Sequence, residues 1–245
     1  MRRLLLSLSA VALVSGFIAT PTASAQQSFN FYLGGFVPRP LDERGTTNRF
    51  GVSDDVLVAN SAFLSTFNRN NGIDIGKFNG ATVGGEWLFG MGRNFEGGLG
   101  LGFYQRSVAT SYSDLVNANG SEIAQTLKLR IVPFTATFRF LPFGHDQPIQ
   151  PYIGAGVGVY GFRYSEAGQF VDGANNVFSG NFAGSGSAVG PVVVGGVRIQ
   201  SGVVSPGFEI RYQSAEGKLP ADQDFAGSKI DLGGMNYLFT LNIKF

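Results

Sequence analysis

The sequence predicts an all-β chain folded as an eight-stranded antiparallel up-and-down transmembrane β-barrel. Three observations carry this reading: period-two alternation recurs in eight segments, several segments run past ten residues, and the connections alternate short and long. Composition agrees with it. Of 245 residues, 36 are Gly and 23 are Phe, and charged residues make only 14%, against about 25% in a soluble domain. So much Gly argues against a helical bundle, because each interior Gly costs about 1 kcal/mol. The 18 basic and 17 acidic residues nearly cancel, which gives no support to nucleic-acid binding. With no Cys, a disulfide framework and thiolate metal sites are excluded.

Residues 1–25 read as a cleaved secretory signal peptide. Arg2 and Arg3 open it, the run from Leu4 to Ile18 is apolar, and Ala23-Ser24-Ala25 supplies an A-x-A cleavage site. The run is shorter than the roughly 20 apolar residues a spanning helix needs. The barrel is then residues 26–245. Removing Arg2 and Arg3 from the 18 basic residues leaves 16 against 17 acids.

Strands are expected near 28–37, 78–89, 95–109, 123–140, 150–164, 187–200, 205–214 and 230–245. The second sets Ala81, Val83, Gly85, Trp87 and Phe89 against Thr82, Gly84, Glu86 and Leu88. In the third, Leu99, Leu101 and Phe103 oppose Glu96, Gly98, Gly100 and Gly102. The fourth changes phase near Pro133. Leu127, Leu129 and Ile131 share a face before it; Phe134, Ala136, Phe138 and Phe140 share a face after it. A residue without an N–H at a phase change suggests a β-bulge. The fifth carries Ile153, Ala155, Val157 and Val159 on one face, and the seventh sets Phe208, Ile210 and Tyr212 against Glu209, Arg211 and Gln213. The eighth is the clearest, with Tyr237, Phe239, Leu241, Ile243 and Phe245 alternating with Leu238, Thr240, Asn242 and Lys244. A strand tilted by about 45° needs 9–11 residues to cross a bilayer, which fits these lengths.

Connections near 90–94, 141–149 and 201–204 are short, and those near 38–77, 110–122, 165–186 and 215–229 are long. Tight turns on one side and longer loops on the other are the habit of membrane barrels, and an even strand count puts both termini on the short-turn side. The Gly/Asn/Ser stretch 173–187 reads as a mobile loop tip. In the first long loop, Ser53 is placed to N-cap a helix with Asp54 and Asp55 in its first turn. Val56, Asn60, Phe63, Leu64 and Phe67 then fall at helical spacing. Packing over the barrel rim is preferred to lying on a membrane surface.

Pro151-Tyr152-Ile153-Gly154-Ala155-Gly156-Val157-Gly158, the preceding Ile131-Val132-Pro133 and Phe138-Arg139-Phe140-Leu141-Pro142, and the alternation ending in Phe245 resemble the small outer-membrane β-barrel family of the OmpA/OmpX/OmpW kind. The resemblance implies an eight-stranded barrel in the outer membrane of a Gram-negative bacterium. No cofactor is expected, and the chain is expected to be a monomer. The resemblance also implies outer-membrane lipid and the barrel assembly machinery as partners, with Tyr237, Phe239, Leu241, Ile243 and Phe245 as the assembly signal. Thr240 departs from that signal, where a Gly is common.

Exposing Leu99, Leu101, Phe103, Ile153, Val157 and Val159 to water would give apolar patches that soluble monomers do not tolerate, whereas lipid requires them. Trp87, Phe89, Phe95, Phe140, Tyr237 and Phe245 near strand ends fit aromatic girdles. The lumen is then expected to hold Glu86, Glu96 and Glu209 with Arg106, Lys128, Arg130, Arg139, Arg198 and Arg211, and Lys244 near the periplasmic mouth. Because these bases outnumber the acids, two readings stay open: a structural network that fills the lumen, or a narrow anion-preferring pathway. An eight-stranded barrel is just wide enough to be filled by side chains, so a wide pore is excluded.

Enzymatic motifs fail. Gly156-Val157-Gly158-Val159-Tyr160-Gly161 matches a dinucleotide fingerprint but continues into a strand, not a helix. His145, the one histidine, lies in a short turn, so no Ser–His–acid set forms at the outer rim. Asp222 and Asp224 are a solvated pair rather than a metal site. The expectation is a non-enzymatic barrel with a structural or surface-interaction role. Alternatives are a narrow passive transporter of small anionic or apolar solutes and, less favoured, a lipid-modifying enzyme.

Overall fold

The computed structural model of the chain describes residues 27–46, 53–66 and 72–245. The cleavage residues Ala23 and Ala25, and Phe67 of the first long loop, lie outside the described residues. Eight long strands form the wall: β1 (Gln27–Pro38), β3 (Gly80–Gly90), β4 (Phe95–Val116), β5 (Glu122–Phe140), β6 (Ile149–Val171), β7 (Val177–Ile199), β8 (Val204–Gln213) and β11 (Gly234–Lys244). Each pairs antiparallel with two neighbours. β4 joins β5 and β11 joins β1, so the sheet closes on itself. Up to the height of β1, β3, β8 and β11, closure pairs every wall strand on both sides; above it, residues 177–190 of β7 have a ladder partner only in β6. Three short strands, β2 (Leu64–Thr66), β9 (Glu216–Lys218) and β10 (Lys229–Asp231), and one helix, α1 (Val56–Asn60), lie in the two long connections.

Turns at 91–94, 141–148 and 200–203 share one end with the start of β1 and the close of β11. The opposite end is uneven. β4 to β7 run for 22, 19, 23 and 23 residues, while β1, β3, β8 and β11 stop after 12, 11, 10 and 11. Half of the barrel therefore rises as a tall wall above the other half. The expected loops 110–122 and 165–186 are mostly strand. β6 and β7 pair without interruption from Ile149↔Ile199 to Val171↔Val177, with a tip held by left-handed Asn175 (φ 62). The supposed loop tip 173–187 is thus largely paired wall from Val177 on. Its small polar residues build the ladder through backbone alone and leave no alternation to read.

Pro133 is not a bulge. Leu101↔Phe134 and Tyr104↔Ile131 keep one register across it, and the irregularity in the β4–β5 ladder falls between Ser111 and Val116. The odd residues of β5 point inward along the whole strand: Leu127, Leu129, Ile131, Thr135, Thr137 and Arg139 are all buried. What inverts near Pro133 is the chemistry of both faces. Towards the turn end, the inside is polar and the outside carries Phe134, Phe138 and Phe140; towards the tall end, the inside is apolar and the outside carries Lys128 and Arg130. β6 inverts at the same level, from exposed Ile153, Val157 and Val159 to buried Tyr160, Phe162 and Tyr164 with Arg163 outside. A barrel that leaves lipid for water must change its outer face in this way.

The apolar core sits in the tall half. Val56, Leu57, Leu64, Ile73 and Phe78 from the first long connection, and Ala215, Leu219, Ile230 and Leu232 from the last, pack against Tyr104, Val108, Leu127, Leu129, Ile131, Tyr160, Phe162 and Tyr164 of the wall. α1 is shorter than the helical spacing implied, and its N-cap is Asp55, not Ser53. Asp55 accepts from the N–H groups of Leu57 (2.9 Å) and Val58 (3.2 Å), while Ser53 accepts from Asp55 (3.2 Å). The loop packs over the rim, as preferred above.

Candidate functional site

The lower lumen holds six charged side chains, three acids and three arginines: Glu86, Glu96, Glu209, Arg139, Arg198 and Arg211, none more than 5% exposed in its side chain. Arg139 from β5 crosses the barrel to Glu86 on β3 and, at 2.9 Å, to Glu209 on β8. Arg211 meets Glu209 at 2.7 Å and Glu86 at 3.4 Å. Arg198 reaches both oxygens of Glu96 at 3.1 Å. Tyr152 donates to Glu209 (2.9 Å), and its ring lies 4.9 Å from the Arg139 guanidinium and 5.4 Å from that of Arg198. Tyr32 sits 5.1 Å from Arg211 and donates to the Leu101 carbonyl at 3.2 Å. Guanidiniums stacked on rings and forked onto carboxylates form the arrangement that makes buried charge tolerable.

Glycines make room for these groups. A Cβ on Gly84 would run into the Tyr32 ring, and one on Gly196 would come within 2.6 Å of the Tyr152 hydroxyl.

Three expected lumen residues are elsewhere. Lys128 and Arg130 are exposed on the outer face. An inward Lys128 and Arg130 would require a bulge at Pro133, and the ladder keeps one register across it. Arg106 keeps the inward alternation but lies level with Gly80 at the very end of β3, where it is exposed and donates to the Lys77 carbonyl at 2.9 Å. The network is therefore balanced at three against three, and the excess of positive charge expected of an anion pathway is not there. Tyr152 and Tyr32 were missed. Tyr152 shares its face with Gly154, Gly156 and Gly158, so alternation alone could have found it. Lys244 bonds Gln200 at the turn end, and His145 lies in the 141–148 turn, 3.2 Å from the Phe95 carbonyl.

Above the network, salt bridges tie the two long connections together. Arg44 forks onto Asp55 (3.3 Å to each oxygen) and donates to the Asp231 carbonyl (2.7 Å). Arg39 meets the Asp231 carboxylate at 2.9 Å. Asn60 donates to Glu166 of β6 at 2.6 Å. An outer tether joins Asp54 to Lys229 at 2.8 Å.

The slight desolvation of Asp54 is outweighed by Lys229 and by the Thr46 N–H and hydroxyl, which hold its carboxyl at about 2, below the usual carboxylate value. A depressed folded value means that the tether stabilises fully above the unfolded value and is lost as pH falls through about 2. Hydrogen exchange over 53–60 should therefore be slower in the wild type than in Asp54→Asn at neutral pH. That difference should vanish between about pH 4 and pH 2. A difference that persists unchanged through this range would refute the tether.

At the top of the tall wall, Phe63, Tyr112, Leu115, Phe170, Phe178 and Phe182 line a groove of about 640 Å³. Phe170 packs on Phe182 edge to face at 4.8 Å and on Phe178 at 5.8 Å. Among the described residues, no group of His, Asp and Glu is placed to hold a metal ion.

Outside, the rows Phe140–Ile153, Phe138–Ala155, Ala136–Val157 and Phe134–Val159 make a continuous apolar belt, continued on β1 and β11 by Phe29, Phe31, Leu33 and Phe239. Such a belt on a closed antiparallel barrel is the surface of an outer-membrane protein, and it places these strands in that membrane.

No family model and no curated protein matches the chain. Solved structures similar to it include Neisserial surface protein A, 12% identical with a TM-score of 0.46, covering 91% of this chain and 98% of that one. The attachment invasion locus protein of Yersinia pestis is 9% identical with a TM-score of 0.40 (90% and 99% covered). Outer membrane protein W of E. coli is 14% identical with a TM-score of 0.36 (91% and 100% covered).

Proposed function

We propose that this chain is a non-enzymatic, non-conducting outer-membrane barrel whose working surface is the tall β4–β7 wall with the loops seated on it. The observation that carries the reading is double closure of the lumen. A balanced network of six buried charges fills the lower half, and an apolar core of loop and wall residues fills the upper half. Ions would have to break both layers, so the charged network acts as structure. Long strands held rigid outside the membrane suit recognition of something at the cell surface, where loops on a stiff scaffold commonly carry function.

The test is single-channel recording of the full chain in planar bilayers. The expected result is no stable conductance, in the wild type or in a variant that loosens only the upper layer, such as Asn60→Ala. A steady current whose ion selectivity changes in Arg139→Gln would replace this reading with the narrow-channel alternative.

The groove favours one second reading, capture of a small apolar solute. Its volume lies within the roughly 300–1,000 Å³ of ligand sites, and five aromatic side chains, Phe63, Tyr112, Phe170, Phe178 and Phe182, line it beside a polar side that includes Gln125 and Asp172. Below it, Asn60 and Glu166 close the way to the lumen, so captured solute would have to leave sideways. Accumulation of an apolar dye in liposomes carrying the barrel, abolished by Phe182→Ser, would favour this second reading over the first.

A further inference from the structure

Immediately above the apolar belt, the outer face of the tall wall changes to a cluster of cations. Arg130 of β5 stands directly opposite Gln105 of β4 on one side and Arg163 of β6 on the other. Two residues further up, Lys128 stands opposite Ser107 and Ser165. With Asn181 of β7, the polar residues Gln105, Lys128, Arg130, Arg163 and Ser165 line a cavity of about 310 Å³. Like charges directly opposite on neighbouring strands repel. Here two arginines are held in that relation with a lysine beside them. Among the described residues, no carboxylate lies within ion-pair distance of any of the three. Arg39, the cation at the top of the short half, differs in that Asp231 takes it up. The cluster is built for a negative group that the chain itself does not supply.

Its height says which group. Val132 opposite Gly161 separates the Arg130–Arg163 row from the last strongly apolar row, Phe134–Val159. Each two-residue step climbs about 6.6 Å along a strand. The cations thus sit where the acyl chains of the outer leaflet give way to headgroups, and their side chains point to the lipid side rather than to the lumen. We propose that this cluster binds a phosphate on the headgroup of an outer-leaflet glycolipid. Arg130 and Arg163 would grip the phosphate oxygens in forked contacts, Lys128 would supply a further charge, and Gln105 and Ser165 would bond the neighbouring sugar hydroxyls. The acyl chains would lie along Phe134, Val159 and Val157 just below. Guanidinium forks match phosphate geometry, and a soluble anion would gain nothing from the belt beneath.

The experiment uses the full chain in detergent micelles with diphosphorylated lipid A as the probe. Bound lipid is read by native mass spectrometry, and thermal unfolding is followed in parallel. The wild type should retain lipid A and unfold at a higher temperature in its presence; lipid A stripped of its phosphates should do neither. The double variant Arg130→Gln, Arg163→Gln relieves a repulsion on an exposed face. It should therefore fold at least as well, and bind roughly tenfold more weakly or worse. Arg93→Gln, at the turn end, should bind as the wild type does. Equal binding of the dephosphorylated lipid, or undiminished binding by the double variant, would overturn the proposal. Inorganic phosphate or soluble heparin competing as strongly as lipid A would also overturn it and make the cluster a site for soluble anions. Should the double variant fold poorly, Lys128→Gln alone must still weaken phosphate-dependent binding; no loss there would count against the proposal.

Discussion

Arg139→Gln will lower the stability of the barrel by about 3–5 kcal/mol. Arg139 is wholly buried and joins acids on other strands across the lumen, Glu86 on β3 and Glu209 on β8, with Glu96 on β4 at 4.0 Å. Its loss leaves three carboxylates facing two arginines in a space that water does not freely enter. The cost is mainly that of the uncompensated charge, not of the contact removed. Glutamine keeps some hydrogen bonding and volume but cannot restore the balance. The measurement is the urea midpoint of the chain folded in detergent or lipid. Adding Glu209→Gln to the same chain restores two acids against two arginines and should recover part of the loss, a coupling that independent sites would not show. An Arg139→Gln barrel that unfolds at the wild-type urea concentration would mean that the network is wet and contributes little.

Val157→Arg, on the outer face at mid-belt, will cost about 2–4 kcal/mol when folding is measured into a bilayer. Val157 is half exposed and pairs with Ala136 among the apolar rows. An arginine there has lipid on every side and no carboxylate to meet. Lys128→Ala, on the same face but above the belt, should stay within about 0.5 kcal/mol, as exposed substitutions generally do. The contrast locates the membrane boundary between these two residues. Similar costs at both would place the belt wrongly.

The short strands were legible because their surroundings do not change along their length. β1, β3 and β11 meet lipid on one face and the lumen on the other from end to end, so Phe29, Phe31 and Leu33, or Phe239 and Leu241, alternate cleanly. β4 to β7 pass from lipid into water, and their alternation inverts where they do so. An inversion read as a backbone irregularity sends Lys128 and Arg130 to the wrong face; read as a change of solvent, it marks the membrane level. Arg106 shows a second limit, since alternation gives a direction but not the height at which the neighbouring strand stops. Glu86, Glu96, Arg139 and Arg198 are legible because each is a lone charge among glycines or apolar residues, and Glu209 and Arg211 because they share one face of β8, where they pair with each other. The pairings between strands are not legible, because they depend on which strands face one another across the lumen.

The seam between β1 and β11 bears on how the barrel forms. Ser28 and Asn242 are bonded across it although 214 residues separate them. The other long strands pair with a sequence neighbour, or, for β1–β3 and β8–β11, across one long connection. Hairpins such as β6–β7 can zip as soon as both arms exist, whereas the seam must wait for both ends of the wall. Until then the sheet carries two open edges able to capture strands of other molecules. Loop closure over such a distance is slow and is rewarded only when it completes. Assembly kinetics should thus be governed by the arrival of β11 at β1, and changes at the seam should slow folding more than changes of equal severity in the tall wall.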